Sequence, residues 1–333
     1  MLDARARARF IRNRSAVAGT VIVAALVLFA LLGPLVARHG PLESDFVHGI
    51  AADGMPAGPS ADFPLGADRI FRDVFARVTL AGRVSLLIAV SATLIASAIG
   101  AVVGVIAGYY EGARLRVPWP AFLATVGAIA AMAAGHPTLA LVVLATGVAV
   151  SLARRFGGPR LDVDGLLMRA VDVMLAFPFL LLVMAIGAAL DHTSEVTIFV
   201  VLGVTGWTGV ARVLRAKTMQ VRSLDYVTAS RALGQPAGQV MLKHVLPSVI
   251  GPLIVSATVQ VAQMIVADSV LSYLGMGITP PTPTWGRMLF EGQDYYLVAP
   301  WVVAAPAAVI VLAVWGFNML GEGLRDALDP QQT

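Results

Sequence analysis

Apolar runs of bilayer-crossing length recur from one end of this chain to the other. A hydrocarbon core about 30 Å thick is crossed by about 20 helical residues, and no polar backbone inside it can be left unpaired. Six runs meet that length: Val17–Val36, Val84–Tyr109, Ala170–Leu190, Val196–Leu214, Val245–Gly275 and Leu297–Leu320. Two shorter runs, Trp119–Gly135 and Thr138–Ala153, flank a turn signal at Gly135, His136 and Pro137. They read as a pair of spans, with a hairpin only partly entering the bilayer as the competing reading. The pattern predicts an all-α polytopic membrane protein: a six-helix bundle plus a two-helix hairpin inserted at about 114–161.

Composition agrees. Only 13% of the 333 residues are charged and 58% are hydrophobic, with a mean hydropathy of +0.80. A soluble domain carries about a quarter charged residues. Cysteine is absent, which excludes disulfides, Cys-ligated metal centres and thiol chemistry. The basic residues flank apolar spans rather than forming one stripe with aromatics, so nucleic-acid binding is not expected. Arginines precede Val17–Val36, as in a secretion signal, but that run exceeds a signal's apolar length and predicts a retained span.

Basic residues set the orientation. Of 24 Lys and Arg, 18 fall in the N-terminal tail, between the second span and Ala170, between Arg212 and His244, and in the C-terminal tail. Both termini are therefore expected in the cytoplasm. The divisions expected are a tail and first span over 1–36, an outer segment over 37–82 and the remaining transmembrane domain over 83–330. Within the outer segment, Arg69 to Leu80 predicts a short amphipathic surface helix with Ile70, Val74 and Val78 on one face.

The loop at about 222–247 is the most informative inner segment. Ser223 reads as an N-cap, Leu224 to Leu233 as a helix, Gly234 as its left-handed C-terminal turn, and Pro236 as the opening of a second short helix ending near His244. Small residues Thr228, Ala229, Ser230 and Ala232 allow close approach of another backbone. Leu224, Tyr226, Val227 and Leu233 supply apolar contact area. This suits docking into a partner's cleft.

Within the spans, Asp268 with Gln260 and Gln263 marks a candidate translocation path or subunit interface, because an ionisable group in a span is costly unless used. Arg169 and Asp172 are expected to pair at the surface, and Asn318 to bond across helices. Asp191, His192 and Glu195 read as an exposed turn rather than a metal site. There is no GxxxxGK[ST] phosphate loop, GxSxG elbow or HExxH pair, so the chain is not expected to hydrolyse ATP or bind a cofactor itself.

Tyr226, Thr228, Ala229, Ser230, Arg231, Ala232, Leu233 and Gly234, followed by His244, Leu246 and Pro247, resemble the EAA loop of ABC importer permeases. Thr228 stands at the family's Glu, and Ser230 at its second Ala. Other segments are similar to the dipeptide/oligopeptide (and nickel) importer branch, in the subunit with the short periplasmic loop. They are Pro64 to Asp68 with Arg72 to Val74 (Phe71 replacing a usual Gly), Ala81 to Leu86, Leu274-Gly275 with Pro280 to Gly286, and Phe317-Asn318 with Gly321 to Pro330. The 114–161 insert has no counterpart in the common form. The resemblance implies an inner-membrane permease whose loop couples to an ATPase. Its expected partners are a second permease subunit, two ATPases that bind ATP and Mg, a periplasmic or lipid-anchored solute-binding protein, and membrane lipid. Peptides are the expected cargo, with nickel chelates among the solutes of close relatives. The competing reading is an ion- or proton-coupled secondary transporter using Asp268, a class marked by internal repeats and broken helices.

Overall fold

The computed structural model describes the chain except residues 1–3, 117–118, 134–135, 154–159, 190–193 and 329–333. The expected turn residue Gly135, the outer-loop residues Asp191 and His192, and Asp329-Pro330 lie outside the described residues. The architecture is helical, as the apolar runs require, with one short antiparallel ribbon.

Helix α1 (Ala4–Arg12) leads into α2 (Arg14–Val36), and α3 (Val74–Tyr109) is the central helix. Strand β1 (Arg114–Arg116) pairs antiparallel with β2 (Arg160–Asp162), and between them stand α4 (Trp119–Ala133) and α5 (Pro137–Ala153). Then follow α6 (Val163–Ala176), α7 (Phe179–Ala188), α8 (Glu195–Thr205), α9 (Thr208–Arg222), α10 (Asp225–Ala232) and α11 (Ala237–Val240). A π turn (Met241–Val245) joins α11 to α12 (Leu246–Tyr273), and α13 (Trp285–Gly292) and α14 (Trp301–Leu328) complete the chain.

Among the described residues, four helical segments are individually long and apolar enough to span a bilayer: α2, α3, the continuous segment from Ala237 to Tyr273, and α14. Two more spans arise only as bent pairs. α6 and α7 meet at 81°, and α8 and α9 at 40°. Pro178 explains the sharper bend, since it holds Phe177 extended (ψ 134°) and ends α6. The two runs read as continuous spans are thus each broken.

α3 packs against α2, α8, α9 and α12, while α14 lies against α2 and α12. Small residues permit close crossings. A Cβ at Gly104 would lie 2.5 Å from the Ala211 carbonyl oxygen, so α3 and α9 touch backbone to backbone there. The inserted α4 and α5 pack chiefly on each other.

Three expectations change. α3 begins at Val74, capped by the Asp73 side chain, ten residues ahead of the expected run at Val84. No separate surface helix exists over Arg69 to Leu80. Ile70 is an exposed loop residue, while Val74 and Val78 are fully buried in the first turns of α3. Asp172 pairs not with Arg169 but with Arg212, at 2.6 Å across to α9.

Candidate functional site

The inner loop is built by a glycine-terminated helix. α10 ends in paired 6→1 and 5→2 bonds, Gln235 N–H to the Ser230 carbonyl (3.3 Å) and Gly234 N–H to the Arg231 carbonyl (3.0 Å). This geometry requires a left-handed residue at position 234, and Gly234 has φ +80°. The Ser230 hydroxyl donates to Gln235 Oε1 at 2.7 Å, tying the same turn from the side-chain level. The family's second Ala could not make that bond.

Val227 is fully buried in one apolar cluster with Val105, Val210, Leu214, Val240 and Val245, which roots α10 in the bundle. It is therefore part of the core and not of a docking face. Arg222 donates to the Tyr109 and Glu111 carbonyls and to the Glu111 carboxylate, fixing the entry to the loop. Leu224, not Ser223, is the N-cap; the Ser223 hydroxyl donates to the Gln220 carbonyl and ends α9 instead. What α10 and the turn after it present outward is Asp225, Tyr226, Thr228, Ala229, Arg231, Ala232, Leu233 and Gly234. Leu233 is the most exposed of these large side chains, at 82%. The Tyr226 hydroxyl lies 2.9 Å from Ser248 Oγ on α12, and the Arg231 guanidinium sits 5.8 Å from the centre of the Tyr109 ring.

The second helix does not stop at His244. The chain continues through the π turn, which contains His244, into α12, where Leu246 and Pro247 are the first two residues. Proline lacks an N–H and crowds the carbonyl four residues before it; the wider turn immediately before Pro247 accommodates both defects. Ala237 to Tyr273 is thus one 37-residue helical segment, rooted in the inner loop and ending on the opposite side.

That segment forms one wall of a cavity of about 1000 Å³. The other walls are the two broken spans, at Phe177-Pro178 and at Gly206, and α14. Gln260, Gln263 and Asn318 line it, and among the described residues no charged one does. Asn318 therefore has its side chain on the cavity wall. Gln260 Nε2 donates to the Gly206 carbonyl at 2.8 Å, tying α12 to the bend between α8 and α9.

Asp268 is not with them. It is fully buried between α12 and α3, where its Oδ2 accepts from Ser85 Oγ at 3.1 Å. Ser85 Oγ in turn lies 3.4 Å from the Trp285 backbone N–H. Asp268 stitches α3, α12 and α13 together and does not face the cavity.

Beside Trp285 lies a cluster that sequence reading missed. Arg72 Nε donates to Asp68 at 2.7 Å, and Arg72 and Arg77 both donate to Glu291 Oε2, at 3.0 and 2.7 Å. Arg287 reaches Glu291 Oε1 at 3.3 Å. Trp285 and Trp301 donate through their indoles to the Val78 and Ala67 carbonyls. The loop before α3 thus lies against Glu291 of α13 and Trp301 at the start of α14. Only the presence of acidic and basic residues at both places hinted at it.

Nearby, Asp73 accepts from the Phe75 and Ala76 amides, yet burial lifts its carboxyl above the usual range. Asp45 is the reverse case. The His48 and Val47 amides and the His48 ring hold it down to about 2.

A bundle of six spans, two of them bent around a central cavity, with a rigid helical loop at one end, defines a membrane transport subunit. Residues 145–333 match the family of binding-protein-dependent transport system inner membrane components, and residues 4–50 match the N-terminal TM domain of oligopeptide transport permease C. The chain is 34% identical to a di/tripeptide transport system permease protein of Pseudomonas aeruginosa, over 97% of this chain and 90% of that protein. It is 32% identical to a dipeptide transport system permease protein of Bacillus subtilis, over 97% and 84% respectively. It is 29% identical to an oligopeptide transport system permease protein of Haemophilus influenzae, over 98% and 88%. The chain belongs to the binding-protein-dependent transport system inner membrane component family, and it is a multi-pass inner-membrane permease.

Proposed function

We propose that this chain is one of two permease subunits of an ATP-driven ABC importer that carries di- and oligopeptides. The supporting observation is the continuous helical segment from Ala237 to Tyr273. It follows directly on α10, whose outward residues are exposed, and it carries Gln260 and Gln263 on the cavity wall. At about 1.5 Å per residue, a push at Ala237 is delivered to Gln260 roughly 35 Å away without an intervening break. Because Gln260 holds the Gly206 carbonyl, the bend between α8 and α9 moves with it.

In this reading α10 docks on an ATPase subunit, and ATP and Mg are bound there rather than by this chain. The second permease closes the other side of the cavity. A periplasmic or lipid-anchored binding protein delivers cargo at the end bearing Trp285 and Glu291. Both termini lie in the cytoplasm, as the arginine distribution requires. Peptides are the cargo named for the relatives. Gln260, Gln263 and Asn318 set three amides into a largely apolar wall, which suits solutes that carry peptide groups, since each amide offers both a donor and an acceptor. Helices α4 and α5, of 15 and 17 residues, enter the bilayer as a hairpin.

The broken spans are a trait shared with secondary transporters. The Asp268-coupled alternative nevertheless has its key group off the cavity.

The test is affinity capture of the chain from its native membrane in mild detergent, followed by mass spectrometry. Co-purification of a phosphate-loop ATPase and a second permease is expected. Isolation of the chain alone, or only with copies of itself, overturns the importer reading.

A further inference from the structure

We propose that α1 is a docking site for the anionic headgroups of membrane phospholipids, and that it fastens the α2–α14 wall to one leaflet.

Positions 5, 7, 9, 12 and 14 are all arginine, and no carboxylate occurs between Ala4 and Leu42. Arg12 and Arg14 are exposed, and among the described residues neither has a carboxylate partner. Beside them Ile11 is 60% exposed. A short helix with arginines next to an uncovered apolar side chain is suited to the boundary between headgroups and acyl chains.

Its position supplies the occupant. α2 is a span beginning at Arg14, so the residues just before it lie where acyl chains give way to headgroups. A phosphate-rich layer is therefore already against α1, and its charge is opposite. α1 is also fixed in place. Asn13 separates it from α2, its Oδ1 accepting from the Ser15 and Ala16 amides. The Asn13 Nδ2 donates to Asp326 Oδ2 near the end of α14 at 2.9 Å.

The α2–α14 contact behind this latch is tight. A Cβ at Gly323 would lie 2.3 Å from the Ala16 Cβ, and one at Gly19 would lie 2.5 Å from the Leu320 nitrogen. α14 carries Asn318 on the cavity wall. A headgroup held at α1 is thus joined rigidly to that wall. The inference rests on α2 crossing the membrane, and it stands whatever the cargo proves to be.

The experiment is native mass spectrometry of the full chain in mild detergent. It is titrated with phosphatidylglycerol or phosphatidylcholine of matched acyl chains. Wild type is compared with the double variants Arg12→Gln/Arg14→Gln and Arg12→Lys/Arg14→Lys. Wild type is expected to retain phosphatidylglycerol selectively. The Gln variant should lose about twenty-five-fold of that preference, at roughly fivefold per charge, and the Lys variant should keep most of it. Equal retention of both lipids by wild type, or an undiminished preference in the Gln variant, overturns the proposal. So does an acidic partner protein that captures wild type but not the Gln variant while lipid retention is unchanged. Should the Gln variant fail to fold, Ile11→Trp in reconstituted vesicles decides. Its added fluorescence must be quenched more by brominated phosphatidylglycerol than by brominated phosphatidylcholine; equal quenching refutes the site.

Discussion

Replacing Gly234 separates the geometry of the inner loop from its contacts. At φ +80° the residue lies in the left-handed region, and a Cβ added there meets nothing within 4 Å. An alanine therefore suffers no clash inside the chain. Its whole cost is backbone strain, about 1–2 kcal/mol, or roughly a five- to thirtyfold shift in the equilibrium that closes the turn. Asparagine tolerates this conformation better and should recover much of that loss. Tryptophan has alanine's strain plus a ring projecting into the space that a docked ATPase would fill, beside the exposed Leu233. The assay is ATP-driven peptide uptake by the reconstituted importer, with ATPase capture measured in parallel. The expected order of activity is wild type, Asn, Ala, Trp, with the Trp variant inserted and folded but unable to hold the ATPase. Wild-type uptake by Gly234→Trp would refute the assignment of this loop. Equal losses for Ala and Trp would show that strain alone acts and that nothing docks there.

Three further outcomes concern the loop before α3 and its contact with α13. Glu291→Gln leaves Arg72, Arg77 and Arg287 around a neutral group in a buried cluster and should cost about 3 kcal/mol, read as a fall in melting temperature in detergent; a change within error removes the cluster from the stabilising contacts. Asp73→Asn keeps an acceptor for the helix amides but removes a carboxyl whose folded-state value is raised by burial. The unfolded chain ionises first, so wild type loses stability as pH rises from about 4, and the variant's relative gain should grow over that range; a gain that grows toward acid is the contrary result. Phe71, at φ +63°, packs edge-on to Phe46 at 5.6 Å. Phe71→Gly relieves about 1 kcal/mol of strain and forfeits about as much ring contact, so thermal stability should move little, whereas the β-branched Phe71→Val should lower it clearly; equal effects of the two would show that strain is not the governing quantity.

Much of this protein was legible before any coordinates. Run length alone fixed the helical class, because a bilayer admits no unpaired backbone. Gly234 was readable because a helix end needing a left-handed residue has few chemical solutions. Phe71 was readable only as a departure from a family glycine. The structure adds that its backbone still has the glycine conformation, held by bonds to Asp45 and Asp68.

What the tertiary structure alone decided concerns direction and distance. Sequence placed Asp268, Gln260 and Gln263 in one span, but only packing shows that the glutamines face the cavity while Asp268 turns to Ser85 on α3. Val227 appeared to belong to a docking face and is core. Glu291 could not be paired from sequence, since its partners Arg72 and Arg77 lie more than 200 positions away. The bend at Gly206 accepts a hydrogen bond from a glutamine of another helix, which no local pattern announces. Local chemistry is written in neighbouring residues and can be read from them; which side of a helix meets which neighbour is settled only when all the spans pack at once.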